Sequence, residues 1–186
     1  MEFKQLSLPG LWLLTPQLIR DERGFFRRSF CADEFAAHGL DPASPQGNLS
    51  VNPVEGTLRG FHYQEPPYGE AKTLTCVTGS IFNVTVDLRP DSPMYLKWEA
   101  VELDAVECKS LHVPKGCANA YLTTSENTII HYYMSERYTP TAACGFRYDD
   151  PYFNIPWPSE VRMISQKDRD YPPFCDPRSN PLVARG

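Results

Sequence analysis

Hydrophobic and polar positions alternate in short runs along this chain and seldom keep a helical period. From Ile81 to Leu88, Phe82, Val84, Val86 and Leu88 alternate with Asn83, Thr85 and Asp87, the pattern of a half-buried strand. Lys72–Thr78 precedes it, and Gly79-Ser80 between them predicts a hairpin turn. Similar runs at Leu11–Leu14, Phe25–Phe30, Gly47–Val51, Tyr95–Leu103, Ser110–Val113, Cys117–Thr123 and Thr128–Met134 predict further strands. Asp21-Glu22-Arg23-Gly24 is expected to join the first two of these. Asp33–His38 is the best helical segment, stopped by Gly39. From Thr139 the chain is dense in proline and aromatic residues, and a short helical or irregular segment after Trp157-Pro158 should pack back on the strands. Eighteen prolines and eleven glycines among 186 residues, set between strands, point to an all-β sandwich or barrel. The length suits one domain over residues 1–186.

Composition narrows the function. A hydrophobic content of 41% and a charged content of 22% are ordinary for a globular protein. No apolar run approaches the roughly 18 residues of a membrane span. Met1-Glu2-Phe3-Lys4-Gln5 lacks the pattern of an export signal, so a cytoplasmic location is expected. A net charge of −5 argues against nucleic-acid binding but allows a small anion held by local cations. Cys31, Cys76, Cys108, Cys117, Cys144 and Cys175 form no C-x-x-C pair and read as reduced thiols without a catalytic signature.

The chemistry concentrates in Thr57–Gln64, Thr-Leu-Arg-Gly-Phe-His-Tyr-Gln. Arginine can grip a phosphate through two parallel hydrogen bonds, and histidine can move a proton near neutral pH. Arg59 and His62 are three apart, so a regular strand points them to opposite faces unless Gly60 carries a bulge. A surface arginine and a core histidine would fit the same eight residues. A barrel with an inward histidine also raises the question of a metal. The cupin pattern supplies H-x-H and a carboxylate, then another histidine after P-x-G. Here the two stretches read His62-Tyr63-Gln64 with Glu70, and Pro114-Lys115-Gly116-Cys117-Ala118-Asn119. Gln64 and Asn119 offer neutral amides, poor ligands for transition metals. The expectation is a cupin-like jelly-roll β-barrel with short peripheral helices and neither metal nor cofactor. Of the other histidines, His38 closes the helix and His112 reads as structural. His131 and Tyr132 are adjacent, so only one can face a cavity. His62 is the best general base, with Asp168 a candidate to orient it.

Across nearly its whole length the chain resembles the dTDP-4-dehydrorhamnose 3,5-epimerase family, metal-free cupins acting on nucleotide-linked 4-keto sugars. The resemblance runs through Asp21-Glu22-Arg23-Gly24-Phe25-Phe26, Gln46-x-Asn48-x-Ser50, Leu58-Arg59-Gly60-Phe61-His62-Tyr63-Gln64 and Val84-Thr85-Val86-Asp87-Leu88-Arg89. It continues through Pro114-x-Gly116, Tyr132-x-Met134-Ser135, Tyr138-x-Pro140, Gly145-Phe146-Arg147-Tyr148-Asp149-Asp150-Pro151, Ile155-x-Trp157-Pro158 and Ile164-Ser165-x-Lys167-Asp168. It implies that His62 removes a proton beside the C4 ketone, with Asp168 orienting and charging it. Lys72 would stabilise the enolate oxygen, and Tyr132 would donate a proton on the opposite face. Arg59, with Arg23 supplied by the other subunit of a homodimer, would bind the diphosphate. Gln46, Asn48, Phe26, Tyr138 and Lys167 would complete the nucleotide and sugar contacts.

Two positions depart from the family. Asn119 replaces its histidine after P-x-G, so this wall of the sugar pocket lacks a titratable group. Arg28, or its neighbour Arg27, stands where the family usually has a glutamate that helps hold thymine. A donor-only side chain there favours a base edge presenting acceptors, which leads to an expectation of CDP or GDP over dTDP. Asn119 cannot shuttle a proton near pH 7, so the expectation is a single inversion, at C5, or a substrate whose C3 carries no hydroxyl to invert. A related cupin ketoisomerase and a non-catalytic sugar-binding cupin are the competing readings. The joint presence of His62, Lys72, Tyr132 and Asp168 favours the epimerase.

Overall fold

The computed structural model describes residues 1–176. Two sheets carry most of the chain. In the first, the order is β1 (Glu2–Gln5), β2 (Trp12–Thr15), β10 (Ser110–Val113), β7 (Lys72–Thr78), β12 (Thr128–Met134) and β5 (Gln46–Asn52), all antiparallel. In the second, β13 (Ala143–Gly145), β6 (Thr57–Gln64), β11 (Cys117–Thr123), β8 (Ser80–Asp87) and β9 (Trp98–Asp104) are antiparallel, and β14 (Met163–Ile164) adds in parallel to β6. A separate hairpin pairs β3 (Ile19–Asp21) with β4 (Gly24–Phe26). The two helices are short, α1 (Ala32–Ala37) and α2 (Gln166–Arg169). This is the expected all-β class with peripheral helices, and β7, β10, β11 and β12 have the expected limits.

Three expectations change. Gly79-Ser80 does not close a hairpin, because β7 and β8 belong to different sheets. Gly79, at φ 74°, carries the chain across the corner, where a Cβ would lie 2.6 Å from the Ser125 hydroxyl oxygen. Only glycine fits both that backbone and that space.

The polar face of β8 is not turned to water. Asn83, Thr85 and Asp87 are fully buried. Val84 and Val86 pack with Phe61, Ala118, Ala120, Phe146 and Phe153 against a cover that includes Trp98, Trp157 and Phe174. The aromatic-rich last third therefore roofs the outer face of the second sheet. A second cluster, built from Leu74, Cys76 and Ile130 of the first sheet with Ile81, Leu103, Cys117 and Tyr121 of the second, fills the space between the sheets. With both faces covered, all seven residues of β11 are buried. Each buried polar group needs a partner. Asp87 receives Arg89 Nε at 2.8 Å and the Ser92 hydroxyl at 2.6 Å.

The expected strand Phe25–Phe30 is shortened to β4, whose partner is the unforeseen β3. Phe30 leaves the strand to pack on Phe35 of α1 and on Tyr133. Arg28 turns to Glu34 of α1 at 3.0 Å.

His112 is structural, as expected. Its Nδ1 meets the Thr73 hydroxyl at 2.8 Å, and burial pushes its pKa down to about 4, with the charge of Asp41 acting weakly the other way. His38 caps α1 through Nδ1 and the Glu34 carbonyl, and stacks on Phe3. All six cysteines are free. Among the described residues, no helix is long and apolar enough to cross a membrane.

Candidate active site

A cavity of about 550 Å³ opens between the sheets, lined from β5, β7 and β12 on one side and from β6, β11 and the α2 segment on the other. That volume suits a small-molecule ligand. The strands reach it with polar residues. On β5, Gln46, Asn48 and Ser50 face inward while Leu49 and Val51 are 67% and 58% exposed, an inversion of the usual strand pattern.

Gly60 decides the geometry of β6. Asn119 pairs with His62 and Tyr121 with Arg59, so two residues of β6 oppose the single Ala120 of β11. This bulge brings Arg59 and His62, three apart, into one cavity. At Gly60, φ is 119°, and a Cβ would lie 2.6 Å from both the Ala120 Cβ and the Asn119 carbonyl oxygen. No larger residue fits.

The bulge also frees the Gly60 N–H for the Asp168 Oδ2, at 3.3 Å. Asp168 Oδ1 meets His62 Nε2 at 2.7 Å. Burial raises the Asp168 pKa, but the bond and charge of His62, with the donors Gly60 and Ser165, outweigh it and lower the pKa overall. Ser165 caps α2 by accepting the Asp168 N–H at 3.0 Å, which fixes the acid from its backbone side. With an ionised carboxylate on Nε2, a neutral imidazole keeps its proton there. The lone pair is left on Nδ1.

On the facing sheet, Tyr132 lines the cavity while His131 packs edge-on against Tyr133. Burial raises the Tyr132 pKa, Arg59 opposing and Glu70 adding to the shift, so the phenol holds its proton at neutral pH. Lys72 Nζ is 2.8 Å from Glu70 Oε1. Arg59 is braced by Asn52 Oδ1 at 2.8 Å from Nε. The cavity acids are both paired, Glu70 with Lys72 and Asp168 with His62, and the cations Arg59 and Lys167 remain to attract an anion. Asn119 donates its amide to Asn83 Oδ1 at 2.8 Å and to the Val84 carbonyl at 3.2 Å, which points its acceptor oxygen away from those bonds.

Ten of the thirteen expected site residues line this cavity: His62, Lys72, Tyr132, Asp168, Gln46, Asn48, Arg59, Asn119, Tyr138 and Lys167. Arg23, Phe26 and Arg28 do not. Arg23 pairs with Asp21 in the β3–β4 turn, and Phe26 is 68% exposed. Arg28 is engaged by Glu34, so the chemical ground for a cytosine or guanine preference is absent from the cavity of the same chain. Sequence reasoning passed over Asn52, Tyr121, Tyr171 and the pairing of Glu70 with Lys72. Asn52 had a legible signal: it extends the polar alternation Gln46, Asn48, Ser50 by one step.

Residues 5–176 match the family model described as dTDP-4-dehydrorhamnose 3,5-epimerase. A dTDP-4-dehydrorhamnose 3,5-epimerase of Methanothermobacter thermautotrophicus is 37% identical over 184 residues, 97% of this chain and 96% of the relative. A dTDP-4-dehydrorhamnose 3-epimerase of Streptomyces niveus is 36% identical over 171 residues, 91% of this chain and 82% of the relative. The crystal structure of the Bacillus anthracis 3,5-epimerase, solved with TDP and PPi bound, superposes with a TM-score of 0.90 at 34% identity, covering 93% of this chain and 99% of that one. With a family model spanning all but a few of the described residues and relatives matched along nearly their full length, this chain belongs to the dTDP-4-dehydrorhamnose 3,5-epimerase family of carbohydrate isomerases.

Proposed function

We propose that this protein inverts carbon beside the C4 ketone of a dTDP-linked 4-keto-6-deoxy sugar. The observation that carries the reading is the placement of the His62–Asp168 pair and Tyr132 on facing walls of one cavity. His62 Nδ1 takes the proton α to the ketone, and the electron pair of the broken C–H bond moves into an enolate. Asp168 holds the ring and its tautomer during the transfer. The Lys72 ammonium faces the enolate oxygen, charge that is present in the transition state and not in the ketone. Tyr132 returns a proton to the opposite face of the carbon, and solvent restores both side chains. Arg59 takes the diphosphate through its planar fork.

The Methanothermobacter thermautotrophicus relative is a 3,5-epimerase and the Streptomyces niveus relative a 3-epimerase, which supports inversion at C3, with or without C5. Inversion confined to C5 has no counterpart in those two, nor does a nucleotide other than dTDP. Incubation with dTDP-4-keto-6-deoxyglucose in deuterated water should give a product with deuterium and inverted configuration at C3, and proton NMR reads C5 in the same spectrum. Absence of deuterium at both carbons would refute the epimerase and leave a binding protein.

We further infer a homodimer. The β3–β4 hairpin presents Ile19, Phe25 and Phe26 to solvent, and β5 is an edge strand whose own Leu49 and Val51 are exposed. Arg23, Phe26 and Arg28 do not line the cavity of their own chain and would serve the partner's. Light scattering should give about twice the 21.1 kDa chain mass; a monomer at micromolar concentration would remove Arg23 from the site.

A further inference from the structure

The Lys72 ion pair contains an atom that the steps above do not use. Glu70 lines the cavity with its side chain only 3% exposed. Its Oε1 holds Lys72 Nζ at 2.8 Å, whereas Oε2 is buried and has no hydrogen-bond partner among the described residues. It is the sole buried side-chain polar atom among them in that condition. A buried carboxylate oxygen without a donor is unfavourable, and a carboxylate can satisfy it only by accepting. The backbone around it is fixed, because the Ser135 hydroxyl accepts the Ala71 N–H at 2.9 Å and the Ser135 N–H returns to the Ala71 carbonyl at 2.9 Å. Turning Glu70 toward water would therefore have to break its Oε1 contact with Lys72, since the backbone beside it cannot shift to help.

We propose that Glu70 is a further substrate-binding residue, whose free Oε2 accepts a hydrogen bond from the sugar hydroxyl at C3 while Oε1 holds Lys72. This rests on the function proposed above, in which Lys72 faces the oxygen at C4. A donor within reach of both Lys72 and Glu70 must sit on a carbon next to C4. In a 6-deoxy sugar, C5 carries a methyl group and the ring oxygen, neither of which donates. C3 carries a hydroxyl. The carboxylate thus reads the one donor beside the ketone and fixes the ring against rotation about the C4 oxygen. Its charge also falls on Tyr132, where it adds to the hold on the phenolic proton.

The test uses two unreactive ligands, dTDP-6-deoxyglucose and its 3-deoxy counterpart, with dTDP itself as a control, titrated by calorimetry. Hydrogen bonds to charged groups imply that the wild type prefers the 3-hydroxy sugar by about tenfold to a hundredfold. Glu70→Ala should erase that preference when each sugar is read against dTDP bound to the same variant, since freeing Lys72 alters the affinity for all three anions alike. Glu70→Gln, which keeps an acceptor, should retain part of it. Should Glu70→Ala weaken both sugars by the same factor, Glu70 acts only through Lys72 and the hydroxyl contact is overturned; an undiminished preference overturns it equally. If the wild type binds dTDP but gains nothing from either sugar, the proposed substrate itself fails, and that pattern is distinct from the other two.

Discussion

His62→Ala should abolish uptake of solvent deuterium beside the ketone, with a loss of about a hundredfold to ten-thousandfold in rate, the usual worth of a positioned general base. Without the imidazole, no positioned nitrogen base is left to take the proton beside the ketone. Of the remaining acids, Glu70 is paired with Lys72, and Asp168 keeps only the Gly60 N–H on Oδ2 once the ring is gone. Removing the ring also leaves the Asp168 carboxylate, 6% exposed, without its strongest partner. His62→Gln is the cleaner variant, because its amide nitrogen reaches the position of Nε2 and can still donate to Asp168 while offering no basic nitrogen. It should fold as the wild type does and exchange as poorly as the alanine variant. Tyr132→Phe is expected to behave differently. Enolate formation survives, so deuterium enters the substrate, but the proton returns only from the His62 side and the configuration is kept. Mass spectrometry and NMR on the same sample separate the two outcomes. Inversion by Tyr132→Phe at the wild-type rate would take Tyr132 out of the mechanism.

Gly60→Ala should damage both stability and activity. The added methyl would meet Ala120 and the Asn119 carbonyl oxygen at 2.6 Å, far inside van der Waals contact, at a φ of 119° that L-residues rarely adopt. Overpacking and backbone strain each cost roughly 1–3 kcal/mol, so a loss of about 2–6 kcal/mol is expected in denaturant unfolding. If the chain yields by straightening the bulge, Arg59 and His62 swing to opposite faces and the Gly60 N–H leaves Asp168. Misplacement of that kind can cost about a hundredfold in rate. Gly69→Ala is the control: its methyl would meet only the Gln64 carbonyl oxygen, at 3.7 Å, so its effect should stay within about 0.5 kcal/mol. Equal stability of the two variants would show that the bulge does not depend on glycine.

The sequence alone determined the strand content, the segments β7, β10, β11 and β12, and the residue types of the site. These follow from local causes: alternation of side chains across a strand, turn residues between strands, and the ordered set of short motifs. It also anticipated the bulge, because Gly60 stands between two functional side chains whose spacing is wrong for a flat strand. Tertiary structure decided which face of a strand was inside. The alternation of β8 is the same whether Asn83, Thr85 and Asp87 face water or the space between the sheets, and only the aromatic cover from the last third settles it. It decided that Gly79 turns between sheets, since a two-residue turn signal does not say which strands pair. It brought Asp168 to His62 across 106 residues, and it turned Arg28 toward Glu34, a choice made by packing of α1 that no motif records. The pairing of Glu70 with Lys72, and the oxygen left over, arise for the same reason: a contact is set by where the whole chain places two side chains, and the sequence specifies only what they are.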